Sequence, residues 1–173
     1  MYHAQLTIDP AHHSPYDIHR LVMSLFKDGE CSRVQYAHID SKIIVRSIVE
    51  PITNNVQWCK PLVALFNPAV TPAAVPFILI ANPTRRDFKS RKRIPLLNSD
   101  AMQSWLTRKA AASGFEVINA TVVTLPVWRH DKTIIYRAMF SGNLNITNFD
   151  IFNETLSNGI GSAKGFGCGM LIV

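Results

Sequence analysis

A chain of 173 residues, 47% of them apolar and with a net charge of +6, can bury a core as one large domain or two small ones in contact. It has no apolar run near the roughly 20 residues of a membrane span, and its start, with His3, Gln5 and Asp9, lacks the pattern of a secretory signal, so a soluble cytoplasmic protein is expected. Cys31, Cys59 and Cys168 are odd in number and lack close metal-ligand spacing, which predicts buried thiols, no structural metal and no cofactor.

Tyr2 to Ile8 sets Ala4, Leu6 and Ile8 on one face and His3, Gln5 and Thr7 on the other, the period of a half-buried strand. Ser14, Pro15 and Asp17 form a capping-box start to a helix. Ile18, Leu21, Val22, Leu25 and Phe26 then recur at helical spacing. The other side carries Tyr16, His19, Arg20, Met23 and Lys27, and the spacing of Tyr16 and His19 makes them surface neighbours. Val34 to Ile39 and Lys42 to Val49 read as a hairpin, Asn54 to Cys59 as a short helix and Leu62 to Phe66 as a strand.

The Pro- and Ala-containing stretch from Asn67 to Ala74 reads as a joint, after which the order repeats. Val75 to Ala81 is an apolar run, Ala101 to Ala112 a helix marked by Met102, Trp105, Leu106 and Lys109, and Glu116 to Leu125 a strand. Ile134 to Phe140 pairs back as the next strand. Thr147 and Asp150 suggest a second capping box over Phe149, Phe152 and Leu156, with Cys168 to Ile172 as the last strand. The expected class is α+β, two tandem ferredoxin-like (RRM-like) βαββαβ domains at residues 1–68 and 75–173 with a short linker at 69–74.

Charge and glycine are both concentrated. Arg85, Arg86, Lys89, Arg91, Lys92 and Arg93 lie within nine residues against Asp87 alone, so nearly all the positive excess is one internal segment. A basic segment beside a folded sheet favours a polyanion, and phosphate-backbone contact is its commonest use. Gly159, Gly161, Gly165, Gly167 and Gly169 crowd the last fifteen residues around Lys164. Gly159 can end the preceding helix, and the rest suits a backbone that meets an anion closely. The loop is neither a Walker loop, which needs Lys directly after the last Gly and then Ser or Thr whereas Lys164 precedes Gly165 and Phe166 follows, nor a dinucleotide fingerprint, because Lys164 takes the third glycine position. A helical His is most often an ordinary surface or core residue, but His19 beside Tyr16 and Arg20 would suit phosphodiester chemistry.

The ending Gly159-Ile-Gly-Ser-Ala-Lys-Gly-Phe-Gly-Cys-Gly-Met-Leu171, the opening Met-Tyr strand, Tyr16-Asp-Ile-His19, and Ala81-Asn-Pro83 leading into a basic loop that ends Arg93-Ile-Pro-Leu96 resemble the CasE family. These are CRISPR precursor-RNA endonucleases of Cascade complexes within the RAMP superfamily, and the likeness runs from Met1 to Val173. The resemblance implies two ferredoxin-like domains that bind the repeat stem-loop and cut at the 3′ base of the stem without a metal. The 2′-hydroxyl would attack the adjacent phosphate, leaving a 2′,3′-cyclic phosphate and a 5′-hydroxyl. His19 matches the family's catalytic histidine, as general acid or general base, and Tyr16 a tyrosine that assists in some relatives. Lys164 matches a lysine that contacts RNA near the cut. Arg85, Arg86, Lys89, Arg91, Lys92 and Arg93 would line the stem, with Arg20 a further RNA contact. Trp128 and Arg129, on a hairpin tip running to Lys132, either wedge at the stem's base or form a plain polar turn with one exposed Trp. Implied partners are repeat RNA and other subunits of a Cascade-like complex, with no membrane. The competing readings are a catalytically weak repeat-RNA scaffold and a small metabolic enzyme that binds a phosphorylated ligand.

Overall fold

The computed structural model describes residues 1–8, 14–27, 34–52, 58–61, 66, 68–69, 71–130 and 133–173. The first half comprises β1 (Tyr2–Thr7), α1 (Pro15–Met23), β2 (Gln35–Ile39), β3 (Lys42–Ser47) and β4 (Trp58–Pro61). Its sheet runs β2-β3-β1-β4 with every neighbouring pair antiparallel. The capping box forms as the sequence predicts: the Asp17 amide donates to Ser14 Oγ at 3.2 Å, and the Ser14 amide donates to the Asp17 carboxylate at 3.1 Å. Such a cap stabilises a helix by about 1 kcal/mol. Ile18 and Val22 bury the opposite face against Ala4, Leu6, Ile43 and Val45, each contributing about 1.5–3 kcal/mol by leaving water.

The short helix expected from Asn54 to Cys59 is corrected where the structure describes it. Trp58 and Cys59 belong to β4, opposite Gln5 and Ala4 of β1. Residues 54–57 lie outside the described residues, as do 62–65 of the strand expected to end at Phe66, and Phe66 is in no strand. A short apolar run has no period long enough to separate helix from strand, and here pairing with β1 decides. Pro61 is tolerated because β4 is an edge strand.

The second half comprises β5 (Val75–Ala81), β6 (Thr84–Arg86), β7 (Arg93–Pro95), α2 (Ser99–Ala111), β8 (Phe115–Thr124), β9 (Trp128–His130), β10 (Thr133–Ile135), β11 (Ala138–Ile146), α3 (Phe149–Asn158) and β12 (Leu171–Ile172). The main sheet runs β12-β5-β11-β8, again antiparallel, so both halves have the ferredoxin-like strand order. β6 pairs with β7 and β9 with β10 as two separate ribbons. The strand expected from Ile134 to Phe140 is therefore broken at Tyr136 and Arg137, and this break lets the Arg137 guanidinium stack on the Trp128 indole, 3.8 Å from the ring centre. The cap of α3 is Asn148, whose side-chain oxygen accepts from the Ile151 amide at 3.0 Å. Thr147 is displaced from that role because its own amide and that of Asn148 both donate to the Gly114 carbonyl. The last strand shortens to two residues because Gly167 and Gly169 sit at φ 70° and 91°. No helix among the described residues is long and apolar enough to cross a membrane.

Among the described residues the first sheet packs against α1 and the second against α2 and α3, and a third buried cluster of Ala37, Ile80, Ile135, Cys168 and Met170 joins the halves. Cys168 is a buried free thiol, as expected, and burial raises its pKa to about 12; Cys31 and the Cys59 side chain lie outside the described residues. A polar joint flanks this cluster. Arg46, 1% exposed, donates through Nε to His3 Nε2 at 2.7 Å and through Nη1 to the Leu156 carbonyl at 3.0 Å. The Gln35 amide donates to the carbonyls of Leu156 and Ser157. A buried cation at the C-terminal end of α3 meets the negative end of that helix's dipole.

Burial, and then Arg46, lower the His3 pKa from the ordinary 6.5 to about 4. The unfolded chain therefore takes up the proton first. Stability from a neutral His3 is complete above about pH 6.5 and declines as pH falls through 6.5 toward 4. Urea midpoints measured from pH 7.5 down to 4.5 should fall over this window. In His3→Gln, which keeps an acceptor for Arg46, that part of the slope should vanish.

Candidate functional site

Pro15 and the Ser14 cap fix the first turn of α1, which sets Tyr16 and His19 with ring centres 6.5 Å apart. Tyr16 is 44% exposed, and Arg20 lies over its ring at 6.0 Å. His19 is half-buried, and its Nδ1 has no hydrogen-bond partner among the described residues. The neighbour of that edge of the imidazole comes from the far end of the chain. A Cβ on Gly165 would stand 3.9 Å from His19 Cε1 and 4.0 Å from Nδ1.

The glycine-rich segment makes this approach by leaving α3 in a chain of tight turns. Gly159 ends the helix at φ 68°, its amide donating to Thr155. Gly161 lies against the Trp105 indole. Ala163 takes a left-handed φ of 60° to open a short 3-10 turn at Lys164–Phe166. The Gly169 amide then anchors the loop to the Ile80 carbonyl at 2.7 Å. A side chain at Gly169 would meet the Ile160 carbonyl at 2.5 Å, so the return of the loop onto its own start requires glycine. The five glycines thus have separate places, and Gly165 is the one beside His19.

Lys164 does something the sequence did not suggest. Its ammonium donates to the Asn158 carbonyl at 2.5 Å, closing the C-terminal end of α3. Burial and then nearby Lys109 lower its pKa.

The basic segment is a hairpin. Thr84 faces Pro95, Arg85 faces Ile94 and Arg86 faces Arg93. Its turn is stiffened from within: Asp87 exchanges backbone bonds with Lys92 and Arg91, and its carboxylate accepts from the Ser90 amide and hydroxyl at 2.8 and 2.7 Å. These bonds hold the Asp87 carboxyl below its usual pKa. The one acid in the segment is thus engaged with its own turn, and the surrounding cations stay outward. Lys89, Arg91 and Lys92 are exposed at the turn.

Arg85, Arg86 and Arg93 also line a groove of about 540 Å³, joined there by Arg108 and Lys109 from the last turn of α2 and by Gly161 and Ser162 of the loop. No carboxylate lines it. A second groove of about 490 Å³ shares Asn82, Thr84, Arg93 and Ser162 with the first and continues past Ala163 and Phe166 to Thr133 and Tyr136. A shallow depression carries on from Phe166 to Pro15, Trp128 and Arg129. The result is a trough from the basic hairpin, along the glycine loop, to the start of α1. Ser162 lines both grooves, and its Oγ is buried with no hydrogen-bond partner among the described residues. Unpartnered buried polar atoms are uncommon, and two of them, Ser162 Oγ and His19 Nδ1, lie along this loop.

Sequence reasoning missed Arg108 and Lys109; a pair of cations ending a helix reads equally well as dipole complement, and only the fold turns them toward the hairpin. Trp128 corrects the exposed tip that one reading assumed. It is half-buried between the Arg137 guanidinium and His38, whose ring centre is 6.0 Å away. Arg129 is exposed, and residues 131–132 and the His130 side chain lie outside the described residues. Among the described residues no three His, Cys, Asp or Glu side chains form a group able to hold a metal.

A family model described as CRISPR associated protein matches residues 1–173. No curated protein matches the sequence. Among solved structures, the chain is similar to Thermus thermophilus Cse3 bound to an RNA representing a pre-cleavage complex, at 23% identity and a TM-score of 0.78, covering 99% of this chain and 97% of that one. It is similar to Cas6e of Escherichia coli K-12 at 22% identity and a TM-score of 0.79, covering 99% and 98%. It also resembles a chain of a CRISPR RNA-guided surveillance complex at 20% identity and a TM-score of 0.74, covering 99% and 98%. At these identities the likeness is one of fold.

Proposed function

Because this chain belongs to the CRISPR-associated protein family, we propose that it is a repeat-specific endoribonuclease. It binds the stem-loop of a CRISPR repeat in precursor RNA and cuts at the 3′ base of the stem. The observation that supports this reading is a carboxylate-free cationic groove that reaches the glycine loop at Gly161 and Ser162, the same loop whose Gly165 stands beside His19, the neighbour of Tyr16. Duplex RNA in the A form is recognised mainly through shape, phosphates and 2′-hydroxyls. A groove lined by Arg85, Arg86, Arg93, Arg108 and Lys109 suits its backbone. In this reading residues 75–173 hold the RNA and residues 1–68, joined through 69–74, bring His19 to it.

The chemistry is transfer of the phosphoryl group to the 2′-oxygen. The 2′-hydroxyl loses its proton as its oxygen bonds to phosphorus, and the bond to the 5′-oxygen breaks. That oxygen takes a proton, leaving a 2′,3′-cyclic phosphate and a 5′-hydroxyl. His19 serves one of the two proton transfers, Tyr16 beside it on α1 assists, and the glycine loop next to His19 holds the RNA near the scissile phosphate. No metal is required in this scheme. A single 2′-deoxy substitution at the nucleotide 5′ of the cut should abolish cleavage, EDTA should leave the rate unchanged, and end-group analysis should find the cyclic phosphate. Cleavage of the deoxy substrate would overturn the mechanism; binding without any cleavage would make the chain a repeat-RNA scaffold. The fold shared with a chain of an RNA-guided surveillance complex supports retention of the product within a Cascade-like assembly.

A further inference from the structure

We infer that Tyr36 is a positioning residue for the cleavage reaction, holding the glycine loop of the second fold at a fixed place against His19 of the first; this rests on the function proposed above. Tyr36 is on β2, an edge strand of the first sheet, and is 1% exposed. Its ring lies in the α1-facing core with Ile18 and Val22. Its hydroxyl donates to the Gly165 carbonyl at 2.8 Å, across 129 residues of sequence. Gly165 is the residue whose backbone lies beside His19. Tyr36 and His19 therefore both approach Gly165.

The ring has a second hold. A Cβ on Gly167 would come within 2.8 Å of Tyr36 Cε2, so the loop presses its bare backbone onto the phenol face. Gln35, the preceding residue on β2, donates to the carbonyls of Leu156 and Ser157 at the other end of the same segment. Two consecutive side chains of one strand thus grip residues 156 to 167 at both ends. Burial raises the Tyr36 pKa, so the phenol remains a donor at working pH and takes no part in proton transfer. It is too buried to touch RNA. Its effect must pass through the loop, whose placement relative to His19 depends on it; misplacing reacting groups by about 1 Å can slow a reaction about 10²-fold.

The test uses the full chain with Tyr36→Phe, which keeps the ring against Gly167 and removes only the donor. Single-turnover cleavage of the cognate repeat should slow roughly 5- to 100-fold, with RNA affinity unchanged within about twofold. Replacing Tyr36 with 4-aminophenylalanine, which retains a donor at that place, should recover most of the rate, and it serves as the second variant if Tyr36→Phe does not fold. In RNA-free protein, the His19 Cε1–H resonance should move in Tyr36→Phe and return in the rescued variant. A wild-type rate in Tyr36→Phe, or a loss that appears wholly in affinity, overturns the inference. If the unaltered chain cuts no repeat RNA, the proposed function fails by itself. The His19 resonance then still decides the positioning, and an unmoved signal in Tyr36→Phe overturns it.

Discussion

Replacing His19 with alanine should lower the single-turnover rate of repeat cleavage by about 10²- to 10⁴-fold, the usual contribution of a positioned general acid or base. Affinity for the same RNA should stay within roughly threefold, because the cations of the trough are spread over β6, β7 and α2 and do not depend on α1. The two measurements must separate. A rate that survives His19→Ala removes the histidine from the chemistry, whereas a parallel fall in rate and affinity makes it a binding residue. Tyr16→Phe is the companion variant: it keeps the ring that Arg20 overlies and reports whether the hydroxyl is used.

The second large effect is on binding. Arg86, Arg93 and Arg108 come from three different elements and converge on one groove with no acid to neutralise them. Changing all three to alanine should weaken RNA binding strongly at low salt and flatten its salt dependence. For duplex DNA each lost phosphate contact reduces the log-log slope by about 0.9, which sets the scale. The matched control is Lys89→Ala, Arg91→Ala and Lys92→Ala, an equal change in charge at the exposed turn outside the groove. A groove that holds phosphates predicts the larger loss and the flatter slope for the first set. Equal losses would mean that net charge alone attracts the RNA. Product ends should be unaltered in both.

Much of the architecture can be read from sequence because it rests on local signals. The Ser14 capping box, the apolar stripe of α1, the alternation of β1 and a strand order repeated in the two sheets all reappear in three dimensions. Errors fall where local signals compete. Trp58 and Cys59 fit a helix or a strand equally well until β1 offers them a partner. Thr147 and Asn148 are both acceptable caps, and the turn held by both their amides on the distant Gly114 carbonyl leaves Asn148 as the cap. The Ile134 to Phe140 run looks continuous, but its start pairs with β9 and its end with β5 and β8, and the break between them lets Arg137 stack on Trp128.

For the candidate site, the sequence by itself determined the inventory: a histidine and tyrosine on one helical surface, a dense basic segment, and a glycine-rich ending unlike the known nucleotide loops. Residue type and short-range spacing carry that information, since capping, periodicity and charge density act over a few residues. Only the tertiary structure decided which of these meet. It set the Gly165 backbone against His19 and turned the Lys164 ammonium to the end of α3. It also added Arg108 and Lys109 to the basic hairpin and placed Tyr36 between strand and loop. The physical reason is distance along the chain: contacts between α1 or β2 and the last fifteen residues arise only when two separately patterned sheets dock, and docking follows from shape and buried polar pairing, which no local pattern records.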